Sequence, residues 1–173
     1  MPFSNFAKYP NNFFIETGSY RGDGIQAALD SGFPYITSIE ITPKYYNICK
    51  QRFAGNSRVH QILGDTADRL WDVIKDINEP ITFWLDGHWD TGAIDETRGI
   101  MDYPILTELE IIALHPVKNH TILIDDIRLL NDRDWNIKLE DVTRRILNIN
   151  PDYTITYDDG LAGRINDVLV AKV

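Results

Sequence analysis

Apolar residues fall into short runs separated by polar punctuation, and the runs alternate between strand-like and helix-like spacing. Phe13-Phe14-Ile15, bounded by Asn11-Asn12, is too short for a helix and reads as a buried strand. It leads to Glu16, a turn containing Gly18, Gly22 and Gly24, and then Ile25-Gln26-Ala27-Ala28-Leu29 with helical spacing. A helix is predicted from about Asp23 to Asp30, ended by Ser31-Gly32. The β-branched run Tyr35–Ile39 is a second strand closing on Glu40. Thr42 or Pro43 opens a helix through Tyr45, Ile48, Cys49 and Phe53, stopped at Gly55-Asn56. Val59–Leu63 is a third strand closing on Gly64-Asp65, and Thr66 is placed to cap a helix carrying Leu70, Val73, Ile74 and Ile77. Ile81–Leu85 is a fourth strand, ending on Asp86. A long polar segment, Gly87 to Tyr103, reads as a functional lid before a helix from Pro104 to His115. Thr121–Ile124 is a fifth strand ending on Asp125-Asp126, and a helix follows over Lys138–Leu147. Tyr153–Tyr157 and Asp167–Ala171 are strands joined by the turn Asp158–Arg164, and should pair antiparallel.

Strand and helix thus alternate before a terminal hairpin. That pattern predicts an α/β fold: a Rossmann-like doubly wound sheet, mostly parallel, with a C-terminal antiparallel hairpin and helices on both faces. The 173 residues fit one domain, with the lid at about 87–103. Ligands on such sheets bind beyond the carboxyl ends of the strands. Glu16, Glu40, Asp65, Asp86 and Asp125-Asp126 all fall at those ends, so each parallel strand is expected to deliver an acid to one edge.

A hydrophobic content of 43% and a charged content of 25% are ordinary for a soluble globular protein. The net charge of −9, with no basic block, argues against nucleic acid as a partner. Cys49 is the only cysteine, reads as a core residue and fits a reducing cytoplasm. The N-terminus lacks a basic region followed by an apolar one, and no run has membrane-spanning length. The expectation is a soluble, cytoplasmic protein with no membrane partner.

Strand, glycine turn and helix bring backbone N–H groups close to a ligand. The glycine spacing is not G-x-G-x-x-G, and no Gly-Lys-Ser/Thr phosphate loop occurs. Glu16 would repel a pyrophosphate but suits a cationic ligand carrying a sulfonium and an amino group. Glu40 lies at the spacing from the turn where an acid accepts hydrogen bonds from a ribose diol. Asp86, Asp125 and Asp126 offer hard oxygen donors that favour Mg²⁺ or a related divalent cation. The structural alternatives are helix capping for Glu40 and Asp65, loop capping for Asp125-Asp126 and a solvated Asp86.

The turn Glu16-Thr17-Gly18-Ser19-Tyr20-Arg21-Gly22-Asp23-Gly24, Glu40, Asp86 and the Asp125-Asp126 pair resemble the class I S-adenosylmethionine-dependent methyltransferases. Within them the chain is most similar to the metal-dependent sugar O-methyltransferases typified by macrocin O-methyltransferase. The resemblance implies the class I methyltransferase fold and methyl transfer from S-adenosylmethionine to a hydroxyl of a small molecule, a sugar or nucleotide sugar. It places Glu16, Gly18, Ser19, Tyr20, Arg21 and Gly22 around the methionine part of the cofactor, Glu40 on the ribose and Asp65 on the adenine amino group. It makes Asp86, Asp125 and Asp126 the metal ligands. His88 is then the first candidate for the base and Asp86 the second. Trp89 is placed to stack on a sugar ring, and Arg98 or Arg128 to pair with a phosphate. Unlike the macrocin group, this chain has a very short N-terminal arm, so the lid or a second subunit of a homodimer must cover the acceptor. Metal-independent transfer to another small molecule, or a non-catalytic module that keeps the fold, are the alternatives.

Overall fold

The computed structural model describes residues 5–89, 97–101, 103–130, 137–160 and 163–173. Strands β1 (Phe13–Thr17), β2 (Tyr35–Glu40), β3 (Val59–Leu63), β4 (Ile81–Leu85) and β5 (Thr121–Ile124) alternate with α1 (Asp23–Asp30), α2 (Pro43–Arg52), α3 (Thr66–Ile74) and α4 (Ile105–Leu114). Helix α5 (Leu139–Ile149) and strands β6 (Thr154–Asp158) and β7 (Val168–Lys172) complete the order, with short 3-10 turns at Phe6–Lys8 and Ile127–Leu129. They build a 7-stranded sheet in the order β3-β2-β1-β4-β5-β7-β6. The first five strands are parallel; β7 runs antiparallel to both β5 and β6. The predicted hairpin is therefore present, and β7 also inserts between β5 and β6.

Side chains alternate across each strand, and neighbouring residues feed different cores. Ile15, Phe83 and Leu85 face Leu70, Ile74, Leu109, Ile112, Val142 and Ile146 of α3, α4 and α5. Phe14, Ile36, Trp84 and Leu123 face Ile25 and Ala28 of α1, Cys49 of α2, and Phe53 and Phe6. Strand β4 is buried at every position, as a central parallel strand covered on both sides must be.

The strand order reverses between the parallel neighbours β1 and β4, whose outgoing connections lead to opposite sides of the sheet. A crevice opens beyond the strand ends at that point. Asp65, not the expected Thr66, caps α3: its Oδ1 accepts from the Ala67 N–H at 3.0 Å. Of the expected lid, Asp90, Thr91, Gly92, Ala93, Ile94, Asp95, Glu96 and Asp102 lie outside the described residues. No helix among the described residues is long and apolar enough to cross a membrane.

Candidate active site at the carboxyl edge of the sheet

A cavity of about 470 Å³ occupies the crevice, within the size range of small-molecule sites. Gly18, Tyr20, Glu40, Tyr45 and Asp65 line one half; Asp86, His88, Trp89, Asp125, Asp126, Arg128 and Arg164 line the other. Gly18, Tyr20, Glu40 and Asp65 of the expected cofactor residues therefore share one space with the expected metal residues Asp86, Asp125 and Asp126.

The glycine turn is shaped by its neighbours. Gly18 has φ +82°, and a Cβ there would sit 2.5 Å from the Asp86 carbonyl oxygen. Tyr20 follows with φ 44°, an uncommon conformation for a bulky residue, and its N–H donates to Glu40 Oε2 at 2.9 Å. Glu40 Oε1 accepts from the Thr42 N–H at 2.7 Å, so this carboxylate ties the turn to the start of α2 while still facing the cavity.

Glu16, Ser19, Arg21 and Gly22 are not among the cavity-lining residues. Glu16 is the fourth residue of β1 and shares the face of Phe14, so alternation sends its carboxylate under the turn. There it accepts from Ser38 Oγ at 2.5 Å, and Ser38 in turn meets Ser19 Oγ at 2.5 Å. Burial, opposed by the Ser38 hydrogen bond, pushes Glu16 up to about 8. Gly22 packs instead against Phe53 and Cys49. Arg21 is exposed, with its guanidinium 5.4 Å from the centre of the Tyr20 ring. Asp65 reaches the cavity, but its carboxylate serves backbone: Oδ1 caps α3, and Oδ2 accepts from the Ile100 N–H at 3.1 Å.

On the other side, His88 Nε2 lies 3.0 Å from Asp126 Oδ2 and 3.5 Å from Asp86 Oδ1. Asp86, His88 and Asp126 each bring a ligand atom within 4.8 Å of the others, and Asp125, Asp126 and Asp167 form a second such group. Asp86 and Asp126 do converge as expected, but His88 completes their group, while Asp125 belongs with Asp126 and Asp167. Asp126, with φ 54°, belongs to both groups, whereas Asp125 falls only in the second. Asp125 is buried, and its Oδ1 has no hydrogen-bond partner.

Burial, reinforced by Asp125 and Asp126, holds Asp86 well above the ordinary carboxylate range. Burial likewise lifts Asp125 to about 6, with Asp126 adding to it. At Asp126 burial also pushes upward, but hydrogen bonds from His88 and Arg128 outweigh it and hold the group at about 2. Arg128 bridges the Asp126 and Asp167 carboxylates and is committed to them. The Arg98 guanidinium lies over the Trp89 ring, 4.9 Å from its centre, so one face of that indole is covered.

The donor set fits a divalent cation: two carboxylates and an imidazole nitrogen, backed by a buried carboxylate oxygen with no partner; the nitrogen makes this a mixed set, where the sequence suggested oxygen donors alone. The other half fits a nucleoside, with Glu40 at the end of β2 and Ile39, Ile41 and Tyr45 providing apolar wall. Glu108, Asp167 and Arg164 were not legible as site residues. Glu108 lies in an apolar stretch of α4, is fully buried under Gly87 and takes hydroxyl hydrogen bonds from Thr66 and Thr17. Asp167 and Arg164 arrive from the far end of the chain, with no spacing signal to link them to Asp126.

No family model and no curated protein matches the sequence. Solved structures do match in shape. An O-methyltransferase from Bacillus cereus in complex with S-adenosylhomocysteine superposes with TM-score 0.60 at 16% identity, over 94% of this chain and 74% of that one. The N-methyltransferase NodS from Bradyrhizobium japonicum, also bound to S-adenosylhomocysteine, gives 0.55 at 14% identity, over 96% and 79%. The fold is that of the methyltransferases. Spermidine synthase from Thermotoga maritima shares it too, with TM-score 0.62 at 12% identity over 97% of this chain and 56% of that one. A fold with hosts of different names leaves the chemistry to the site.

Proposed function

We propose that this protein is a cytoplasmic S-adenosylmethionine-dependent O-methyltransferase that methylates a hydroxyl of a small molecule, a sugar or nucleotide sugar, with the help of a divalent cation such as Mg²⁺. The observation that carries the reading is the single cavity joining the Gly18–Tyr20–Glu40 wall to the Asp86–His88–Asp126 cluster. Structures of the same fold that hold S-adenosylhomocysteine support the cofactor.

When bound, S-adenosylmethionine supplies an electrophilic methyl group on a sulfonium, and a divalent cation lowers the pKa of a hydroxyl oxygen. Glu40 faces the ribose side and Tyr45 the base side. Asp86, His88 and Asp126 would hold the cation, with the buried Asp125 next to Asp126. His88 Nε2 lies 3.0 Å from Asp126 Oδ2 and 3.5 Å from Asp86 Oδ1, and both base candidates, His88 and Asp86, line the cavity, so either would take the hydroxyl proton from the cation side. Orientation of the hydroxyl opposite the sulfonium is the main catalytic task of the walls.

The test combines binding and turnover. S-adenosylhomocysteine at one hundred times its Kd should stabilise the protein by about 2.7 kcal/mol in thermal unfolding. Absence of any shift overturns the cofactor assignment. Methyl transfer to a sugar panel should be lost with chelator and in an Asp86→Asn, Asp126→Asn double variant. Chelator-insensitive transfer would move the reading to metal-independent chemistry.

A further inference from the structure

We propose that Arg164, carried by the turn between β6 and β7, is an anion-binding residue of the acceptor half of the cavity, so that the methyl acceptor bears a phosphate or carboxylate group. The identification of that half as the acceptor side rests on the methyltransferase reading; the anion site itself rests on the geometry below.

Arg164 lines the same cavity as Asp86 and His88. Its Nη1 is 3.9 Å from Asp126 Oδ1, and its side chain is 48% exposed. Asp126 already has closer partners: His88 on Oδ2 at 3.0 Å and Arg128 on Oδ1. A further half-exposed cation at the outer limit of ion pairing adds little to that carboxylate. Arg128 is different, since it is clamped between Asp126 and the buried Asp167 and cannot turn to a ligand without breaking both pairs. Of the two arginines on this wall, Arg164 is therefore the one whose planar fork can take a new bidentate anion.

The turn that presents Arg164 is held in place. The Gly160 N–H donates to the Arg164 carbonyl at 2.8 Å, and the Asn166 N–H donates to Asp159 Oδ1 at 3.1 Å. Gly160 also packs so tightly on Asp167 that a Cβ would meet its side chain at 2.8 Å. The competing account is that Arg164 only screens Asp126, and the experiment separates the two.

Isotope-labelled protein saturated with S-adenosylhomocysteine is titrated with inorganic phosphate and, separately, with acetate, following the Arg164 Nε–H and the Gly163 and Ile165 amides. Arg144, exposed on α5 and paired with Asp141, is the internal control. Saturable shifts at Arg164 that exceed those at Arg144 are expected. Arg164→Gln should weaken the anion by about 10- to 100-fold, the worth of one charge-assisted hydrogen bond, and Arg164→Lys should restore part of it. Preference for phosphate marks a phosphorylated acceptor and preference for acetate a carboxylate. Equal response at Arg164 and Arg144, or undiminished binding in Arg164→Gln, overturns the proposal. The Gly18 and Tyr20 amides report S-adenosylhomocysteine in the same spectra, so failure of the cofactor reading is seen separately from failure of the anion site.

Discussion

Glu16 and His120 are both buried where charge is unwelcome, and their protonation leaves opposite signatures in stability. Glu16 has a pKa near 8, against an ordinary 4.5, because burial opposes its ionisation. The folded state keeps the proton that the unfolded chain releases. Its stability is therefore full below pH 4.5 and declines as pH rises towards 8. Glu16→Gln, which keeps the acceptor for Ser38, should be more stable than the parent by about 1–3 kcal/mol at pH 8 and little different at pH 5, measured by urea unfolding. An equal effect at both values would show that Glu16 is not held protonated. His120 is the reverse case. Burial, with His115 beside it, lowers it to about 3, so the folded state excludes a proton that the unfolded chain takes up below 6.5. Stability is complete above that value and falls as pH drops towards 3. The ring accepts from the Ile81 N–H at 3.1 Å through Nδ1 and meets His115 Nδ1 at 3.0 Å through Nε2. His120→Phe preserves the ring contact with Phe83 but leaves a buried N–H without an acceptor. It should cost about 1–3 kcal/mol at pH 7 and flatten the acid slope in denaturant titrations.

Between elements, Asp65 is a connector. One oxygen caps α3, and the other holds Ile100, while Thr42 Oγ1 accepts from the Thr97 N–H at 3.0 Å. Residues 97–101 are thereby strapped across the rim, close over Asp65: a Cβ on Gly99 would lie 2.8 Å from its Oδ2. Asp65→Ala should lose about 0.5–2 kcal/mol through the cap alone and speed protease cleavage within 97–101. Asp65→Asn retains a good cap and should retain most of the stability, so the pair separates capping from charge. The strands, their order along the chain and the helix between each pair were legible because periods of two and 3.6 residues are written locally. The capping residue was off by one, since Asp65 and Thr66 are both good caps and only the backbone geometry chooses between them.

At the scale of the molecule, β7 closes the sheet by lying between β5 and β6, with Leu169 paired to Ile124 on one side and Tyr157 on the other. Leu169 is completely buried, so Leu169→Ala should cost about 2–5 kcal/mol in equilibrium unfolding, while Ile165→Ala in the exposed turn should stay within about 0.5 kcal/mol. That insertion also carries Asp167 against Arg128 and Arg164 to the cavity wall. The sequence by itself determined that strands and helices alternate and that acids follow the strands, because hydrophobic period and turn chemistry act over a few residues. It could not say that Glu16 is buried while Glu40 faces the cavity: the register sets Glu16 beside Ser38, two residues short of Glu40 on the same face, so Glu16 lies beneath the glycine turn and Glu40 at the rim. Nor could it say that His88 rather than Asp125 joins Asp86 and Asp126, because that depends on how the ends of β4 and β5 lie beside each other in the sheet. Grouping residues about forty apart in the chain is decided by sheet order and backbone direction, and those exist only in the folded molecule.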